Sequence, residues 1–190
     1  SFQYSYITTA TIPASVNLIE EAAFSDCIFL QNIYVDDANP TYFDNDGVVY
    51  KWLTKDENDP FNPEKNRFQL ISVPGAKTNV TILDGTTSIG PCAFDGCSKI
   101  TAVVIPASVT EIHQYAFTGT ALSSLTCMGE TPPAVYGKFS DWGFFDPNYN
   151  SHGLYKLGVG VIKVPYGCSA TYKAANRWDD YANLIVERVA

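Results

Sequence analysis

One phrase recurs along this chain and fixes what it can fold into. Residues 12–24 read IPASVNLIEEAAF and residues 105–117 read IPASVTEIHQYAF, with the same Ile, Pro, Ala, Ser, Val, Ile, Ala and Phe in the same order. Residues 82–94, ILDGTTSIGPCAF, keep both isoleucines and the closing Ala-Phe but replace Pro-Ala-Ser-Val by Leu-Asp-Gly-Thr. A unit this short cannot bury its own apolar face and has to stack on copies of itself, so a solenoid is expected.

A second pattern lies upstream of each phrase: an apolar residue followed by two more at +3 and +5. It reads Ile7/Ala10/Ile12, Leu30/Ile33/Val35, Ile100/Val103/Ile105, Leu122/Leu125/Cys127 and Val159/Ile162/Val164, and Lys77/Val80/Ile82 is a copy with lysine in the leucine slot. The last two members are two residues apart, which puts both on one face of a short strand, so one strand per repeat is expected. Ile12 to Val35 and Ile82 to Ile105 are each 23 residues, Ile105 to Cys127 is 22, and Val35 to Ile82 is 47, close to twice the pitch. One repeat within residues 36–81 is therefore diverged or replaced.

The repeated positions have physical roles. Pro13 and Pro106 lack an N–H and suit the end of a strand where the chain leaves the sheet. Ile19, Ile89 and Ile112 are the next inward residues, and Ala-Phe sets a small side chain beside a large one, as layered packing requires. Ser25-Asp26, Asp95-Gly96 and Thr118-Gly119 then supply turn residues.

These residues resemble the BspA-like leucine-rich repeats of the Treponema pallidum type. That pattern is Leu-x-x-Val-x-Ile-Pro-x-Ser-Val-x-x-Ile-x-x-x-Ala-Phe-x-x-Cys at about 23 residues. Residues 95–117 match it almost throughout, and the likeness runs in repeats over residues 7–127. Residues 161–167 (VIKVPYG), followed by Tyr172, Lys173, Ala174, Ala175 and Trp178, are similar to a C-terminal segment common in such proteins of gut Bacteroidetes. Departures are Lys77 in a leucine slot and Thr120 in place of the repeat cysteine, in a last copy one residue shorter. The resemblance implies a leucine-rich-repeat solenoid, a β-rich right-handed superhelix with short parallel strands, an inserted β-hairpin and a C-terminal capping segment with one short helix. Residues 1–127 are expected to be the repeats, interrupted by a hairpin-bearing insertion at 36–81. Residues 128–190 are expected to form a divergent repeat and cap in the same continuous domain.

Within the insertion, Asp46-Gly47 before a β-branched run is a hairpin signal, and residues 68–73 (FQLISV), ended by Pro74-Gly75, read as the returning strand. Residues 54–66 (TKDENDPFNPEKN) are polar with two prolines and are expected at an exposed tip. Further on, residues 136–155 form a long irregular insertion rich in aromatics. A strand at 161–164 follows, then a helix over 170–178 capped by Ser169 and ended by Asp179-Asp180, then a closing strand at 184–186.

Composition narrows the chemistry. Lys and Arg total 12 against 20 acidic residues, a formal charge of −8, which disfavours nucleic acid and anionic membrane surfaces as partners. No apolar run has the roughly 18 residues of a membrane span, so no membrane insertion is expected. The N-terminal SFQYSY has neither the basic region nor the apolar core of a signal peptide, and the first repeat begins so early that an N-terminal portion is expected to be missing. Five cysteines, Cys27, Cys92, Cys97, Cys127 and Cys168, contain no CxxC pair, and His113 and His152 are far apart, so a zinc site is not expected. Cys27 and Cys97 fall at one repeat position and read as packed thiols. Asp44-Asn45-Asp46-Gly47 has only half the spacing of a calcium loop, and Asp56, Glu57, Asp59 and Glu64 read as a solvated tip. No metal, cofactor or catalytic residue is assigned: there is no Gly-x-Ser-x-Gly elbow, and His113 sits in a variable slot beside Ile112.

The candidate binding residues are the aromatics Tyr136, Phe139, Trp142, Phe144, Phe145 and Tyr149, and the outward-facing repeat residues Glu111 and His113. An exposed aromatic cluster would stack on a sugar or a partner side chain, whereas buried in the last turn it would plug the solenoid, the favoured outcome for Trp142, Phe144 and Phe145. The family resemblance implies a non-enzymatic, adhesion-type protein-interaction module, extracellular or on the cell surface, whose partner is a protein on a host or bacterial surface. The alternative is a glycan-binding accessory protein of an envelope uptake system, using residues 136–155.

Overall fold

The computed structural model describes residues 1–60, 62–136 and 160–189. The strands in chain order are β1 (Thr9–Ile12), β2 (Asn32–Val35), β3 (Tyr42–Asn45), β4 (Val48–Thr54), β5 (Arg67–Ser72), β6 (Thr86–Ile89), β7 (Ala102–Ile105), β8 (Glu111–Ile112), β9 (Ser124–Cys127), β10 (Ala134–Val135), β11 (Val161–Val164) and β12 (Ile185–Glu187). The chain coils as the solenoid the repeats predict. On one face β1 pairs with β2 in parallel, from Thr9 opposite Asn32 to Ile12 opposite Val35, the 23-residue pitch made visible as a register. Further along that pattern β7, β9, β11 and β12 form a parallel sheet in the order β12-β11-β9-β7. The alternation is strict: Ile33 and Val35 are buried and Tyr34 is exposed, and Val103 and Ile105 are buried while Val104 is exposed.

Three successive turns also contribute to a second sheet, which the repeat spacing does not predict. β6, β8 and β10 pair in parallel, with Ser88 opposite Glu111 and Glu111 opposite Ala134. These strands are two to four residues long. So short a segment shows only one or two inward residues, Ile89 or Ile112, and leaves no period to read.

Between the sheets the repeats stack like on like. The Phe94 and Phe117 rings lie 4.8 Å apart at 25°. Asp26, Gly96 and Gly119, each two residues beyond the repeat phenylalanine, all have positive φ, at 54°, 80° and 71°. A Cβ on Gly96 would stand 2.7 Å from Asp26 Cα, so glycine is favoured there by the backbone angle and required for room. All five cysteines are free, and Cys27 and Cys97 are buried as expected. Cys97 donates its S–H to Val73 O at 3.4 Å, and Thr120, in the same slot, donates its hydroxyl to Phe117 O at 2.8 Å. The slot therefore asks for a small side chain with a donor, which explains why threonine is tolerated.

The repeat begins earlier than its apolar pattern suggests. Phe2 N–H donates to Ala23 O at 2.7 Å, just as Phe94 N–H donates to Ala116 O at 2.7 Å, and the Phe2 ring stacks on Phe24 at 5.5 Å. Tyr4 has the positive φ of the turn position, at 60°, and Ser5 lies in the cysteine slot, its hydroxyl 3.4 Å from Cys27 Sγ. Residues 2–12 thus trace the second half of a turn.

The insertion behaves as a replaced turn. Asp46 and Gly47, with φ 50° and 71°, make the two-residue link between antiparallel β3 and β4, the turn whose twist matches a hairpin. β4 continues antiparallel to β5, and β5 runs parallel to β6, giving a six-stranded sheet in the order β10-β8-β6-β5-β4-β3. The described residues of the tip, 55–60 and 62–66, are organised rather than loose. Asn66 is fully buried, donates to Asp59 O and Asn62 O, and accepts the Asp56 N–H at 2.6 Å. One expectation fails here: Val80 to Ile82 is not a strand, although Ile82 is buried. The hairpin has taken its place beside β2, since Ile33 N–H donates to Gly47 O at 3.0 Å and Val35 N–H to the Asp44 carboxylate at 2.7 Å.

At the C-terminal end, helix α1 (Ser169–Ala174) is shorter than the expected 170–178 and is not capped by Ser169. Ser169 is its first residue, and its hydroxyl and N–H are both bound to Glu187 at 2.6 and 3.2 Å. Asp179–Tyr181 forms a separate 3-10 turn. The closing strand is found one residue later than predicted, at β12. Tyr172 and Trp178 cover the last apolar layer, each fully buried with its polar atom satisfied: Tyr172 O–H donates to Gly129 O and Trp178 Nε1–H to Pro133 O, both at 2.8 Å. The plug expected of Trp142, Phe144 and Phe145 falls on residues outside the described ones.

Candidate functional site

The second sheet brings together side chains that are far apart in sequence. Its register sets Lys51 opposite Gln69, Gln69 opposite Ser88, and Ser88 opposite Glu111, a polar row across β4, β5, β6 and β8. Gln69 Nε2 lies 3.3 Å from Ser88 Oγ. Two residues on from Glu111, and so on the same face, stands His113. The ladder runs on past the strands, with His113 N–H donating to Ile89 O and Tyr136 N–H to Ile112 O, each at 2.9 Å.

That ladder places three of the sequence candidates side by side. His113 Nε2 is 3.5 Å from Glu111 Oε2, the Tyr136 hydroxyl donates to Glu111 Oε1 at 3.4 Å, and the His113 and Tyr136 rings are 5.3 Å apart at 30°. Tyr136 is half-exposed. The other five candidates, Phe139, Trp142, Phe144, Phe145 and Tyr149, lie outside the described residues.

Beside His113 the surface dips into an open groove of about 230 Å³. Its origin is a length mismatch between turns. Val73 occupies the phenylalanine slot of the replaced turn, since Val73 N–H donates to Ala93 O at 2.8 Å as Phe94 N–H does to Ala116 O at 2.7 Å. The intact turn spends five residues from Ile89 to Phe94, and the replaced turn spends three from Leu70 to Val73. The missing two residues leave a notch between residues 20–24 on one side and 90–92 on the other. Gln69, Ile71 and Ser72 form its floor, with Lys51 and His113 reaching its edge. Gly90 lines the notch and lets its backbone come close to β5, because a Cβ there would stand 2.8 Å from Leu70 O. None of this groove was assigned from sequence; aligning FQLISV to the second-sheet segment of the repeat would have shown the shortage.

The groove pairs a thiol and an imidazole, Cys92 and His113, yet the thiol is not poised for attack. Burial first, then the negative charges of Asp95 and Glu21, push Cys92 up to about 11 against a contact with Ser25, so at neutral pH it is a protonated lining group. Among the described residues no group of three or more His, Cys, Asp or Glu side chains can hold a metal ion. The half calcium loop is consumed by structure: Asp44 accepts the Val35 N–H and Asp46 pairs with Lys77 at 2.9 Å. At the acidic tip the Lys65 ammonium lies 3.4 Å from Asp56 and 3.5 Å from Asp59, where a cation would sit. The Asn58 N–H, and then Lys65, hold the Asp56 carboxyl below its ordinary value.

No curated protein matches the chain. Among solved structures, a leucine-rich cell-surface protein from Faecalibacterium prausnitzii aligns over 100% of this chain and 50% of its own, with a TM-score of 0.58 and 21% identity. A leucine-rich repeat protein from Eubacterium ventriosum aligns over 85% of this chain and 42% of its own, at 0.49 and 22% identity. The pneumococcal vaccine antigen PcpA aligns over 95% and 54%, at 0.45 and 14% identity. The chain thus spans about half the length of the first of these proteins. The profile of the BspA-type leucine-rich repeat region matches residues 1–45 and 75–138 in six copies, leaving out the part of the insertion that holds β4 and β5. With the repeat register, the phenylalanine stack and that match in agreement over more than half of its residues, the chain belongs to the BspA-type leucine-rich repeat family.

Proposed function

We propose that this chain is a non-enzymatic, adhesion-type interaction module that binds a protein on a host or bacterial surface through its second sheet, as part of a secreted or cell-surface protein. The observation that carries the reading is the Glu111–His113–Tyr136 cluster at the end of the polar row Lys51, Gln69, Ser88 and Glu111. Stacked turns hold these groups in fixed positions, so little ordering entropy is lost on binding. A leucine-rich-repeat solenoid is ordinarily a scaffold for protein interaction, and the protonated Cys92 beside His113 fits a recognition surface better than a nucleophile. The surface setting draws support from the Faecalibacterium structure, named as a cell-surface protein. Among the described residues no helix is long and apolar enough to cross a membrane.

The test is a binding screen against extracellular-matrix proteins and epithelial surfaces, with the Glu111→Ala/His113→Ala/Tyr136→Ala variant as its control. The expected result is at least one partner whose affinity falls about tenfold or more in the variant, the loss typical when an interface anchor is truncated. A screen in which every captured partner binds variant and wild type alike would sink the reading. The glycan alternative rests on Trp142 and its neighbours, outside the described residues; identical glycan-array profiles for wild type and Trp142→Ala would remove it.

A further inference from the structure

We propose that the groove beside His113 receives one basic side chain, an arginine in particular, from the protein partner. The proposal rests on the interaction reading above and adds what the partner must carry. Size comes first: at about 230 Å³ the groove falls below the roughly 300–1,000 Å³ of sites built for whole small ligands, and it suits a side chain on a protruding loop. It is open to solvent along the second sheet, on the same surface as Glu111 and Tyr136.

Charge decides the kind of side chain. Glu20 and Glu21 stand on one wall, both exposed, and among the described residues neither carboxylate has an ion-pair partner. At the edge Lys51 is the single ammonium of the lining against these two carboxylates, which leaves the negative charge in excess, and His113 is already engaged with Glu111. At Asp95 and Cys92 negative charge adds to the effect of burial. Burial and then Asp26 raise the Asp95 carboxyl, opposed by a Ser25 contact, and Asp95 and Glu21 add to the burial that raises the Cys92 thiol. An anionic or phosphorylated ligand would meet repulsion from the same carboxylates, and a metal ion lacks a ligand cluster among the described residues.

Arginine fits better than lysine. Its planar guanidinium presents several donors to the wall that carries Glu20 and Glu21, and can stack on a flat ring, which His113 presents at the groove's edge. Lysine offers a point charge with neither advantage.

The experiment is an amide NMR titration of the full chain with acetyl-Gly-Arg-Gly-amide and with its citrulline counterpart, repeated on Glu20→Gln/Glu21→Gln. Both glutamates are exposed, so the variant keeps the fold. For the arginine peptide we expect shifts centred on Glu21, Gly90, Cys92 and His113, with an affinity on the order of millimolar, weakened about threefold or more in the variant. The citrulline peptide should give no such pattern. Equal shifts with citrulline, an unchanged affinity in the variant, or arginine shifts centred on the Asp56–Asp59 tip would each overturn the proposal. A negative titration alongside a partner still lost in the Glu111/His113/Tyr136 variant would remove the groove and leave the interaction reading standing.

Discussion

Two stretches of the same solenoid solve the same problem differently. Residues 82–127 do it by repetition: Phe94 stacks on Phe117, Gly96 lies against Asp26 and Gly119 against Gly96, and each turn hands its N–H groups to the carbonyls of the next. Residues 36–81 do it by substitution. A hairpin supplies the missing turn, with Gly47 O and the Asp44 carboxylate accepting the β2 N–H groups and Val73 in the phenylalanine slot. The difference shows that the stack demands filled volume and satisfied backbone groups at each level, whatever path the chain takes to provide them. It also shows where distinctive surface arises. The groove opens where the substituted turn is two residues short.

The largest expected break in this comparison is at the phenylalanine slot. Phe94→Ala removes a fully buried ring with a stacked neighbour and should cost about 3–5 kcal/mol in denaturant unfolding. The converse change, Val73→Phe, gives the replaced turn the residue the repeat prefers. It should still destabilise, by about 1–3 kcal/mol, because the shortened path has no room for the ring. A stabilising Val73→Phe would show the two slots to be equivalent. Next in size is Asp44→Ala, which leaves the Val35 N–H without its acceptor at the hairpin junction, for a loss of about 1–3 kcal/mol.

Alkaline stability follows from the same packing. Burial pushes Cys127 up to about 12 and Cys92 to about 11, from an ordinary 9.0. In the unfolded chain these thiols lose their protons near pH 9, while the folded chain holds them, so between pH 9 and 11–12 the native state binds more protons. Stability is then fully present below pH 9 and falls as pH rises through that window. Cys127→Ala should flatten the fall when unfolding midpoints are followed against pH, and an unaltered slope would contradict the assignment.

The solenoid was legible because its determinants are local and repeated: Ile33 and Val35, or Val103 and Ile105, alternate with exposed residues at a fixed pitch. The Asp46-Gly47 hairpin was legible because two consecutive positive φ angles call for those residue types. The second sheet was not, since β8 and β10 are two residues long and their pairing is fixed by neighbouring turns. Helix α1 was overextended because residues 170–178 are good helix formers. Trp178, however, is drawn to Pro133 O, and Ala175 adopts an extended ψ of 141° that ends the helix. Of the candidate site, Glu111 and His113 were visible as outward repeat positions, and their meeting with Tyr136 needed the register. The groove depends on a deletion seen only when a hairpin strand is aligned to a repeat.

The smallest expected effect sharpens what a repeat glycine is for. Gly96 and Gly167 share a backbone geometry, φ 80° and 79°, yet a Cβ on Gly96 would meet Asp26 Cα at 2.7 Å while one on Gly167 meets nothing within 4 Å. Gly167→Ala should therefore cost only the left-handed penalty, about 1 kcal/mol. Gly96→Ala should cost that plus a displacement of the neighbouring turn, about 2–4 kcal/mol in all. The comparison is read as the difference between the two unfolding free energies in one buffer. Equal losses would mean that backbone angle alone selects glycine after the repeat phenylalanine. A larger loss at Gly96 would mean that the close approach of consecutive turns selects it. Asp26, which bears a Cβ at φ 54° in the first of these turns, already shows that the angle by itself is tolerated.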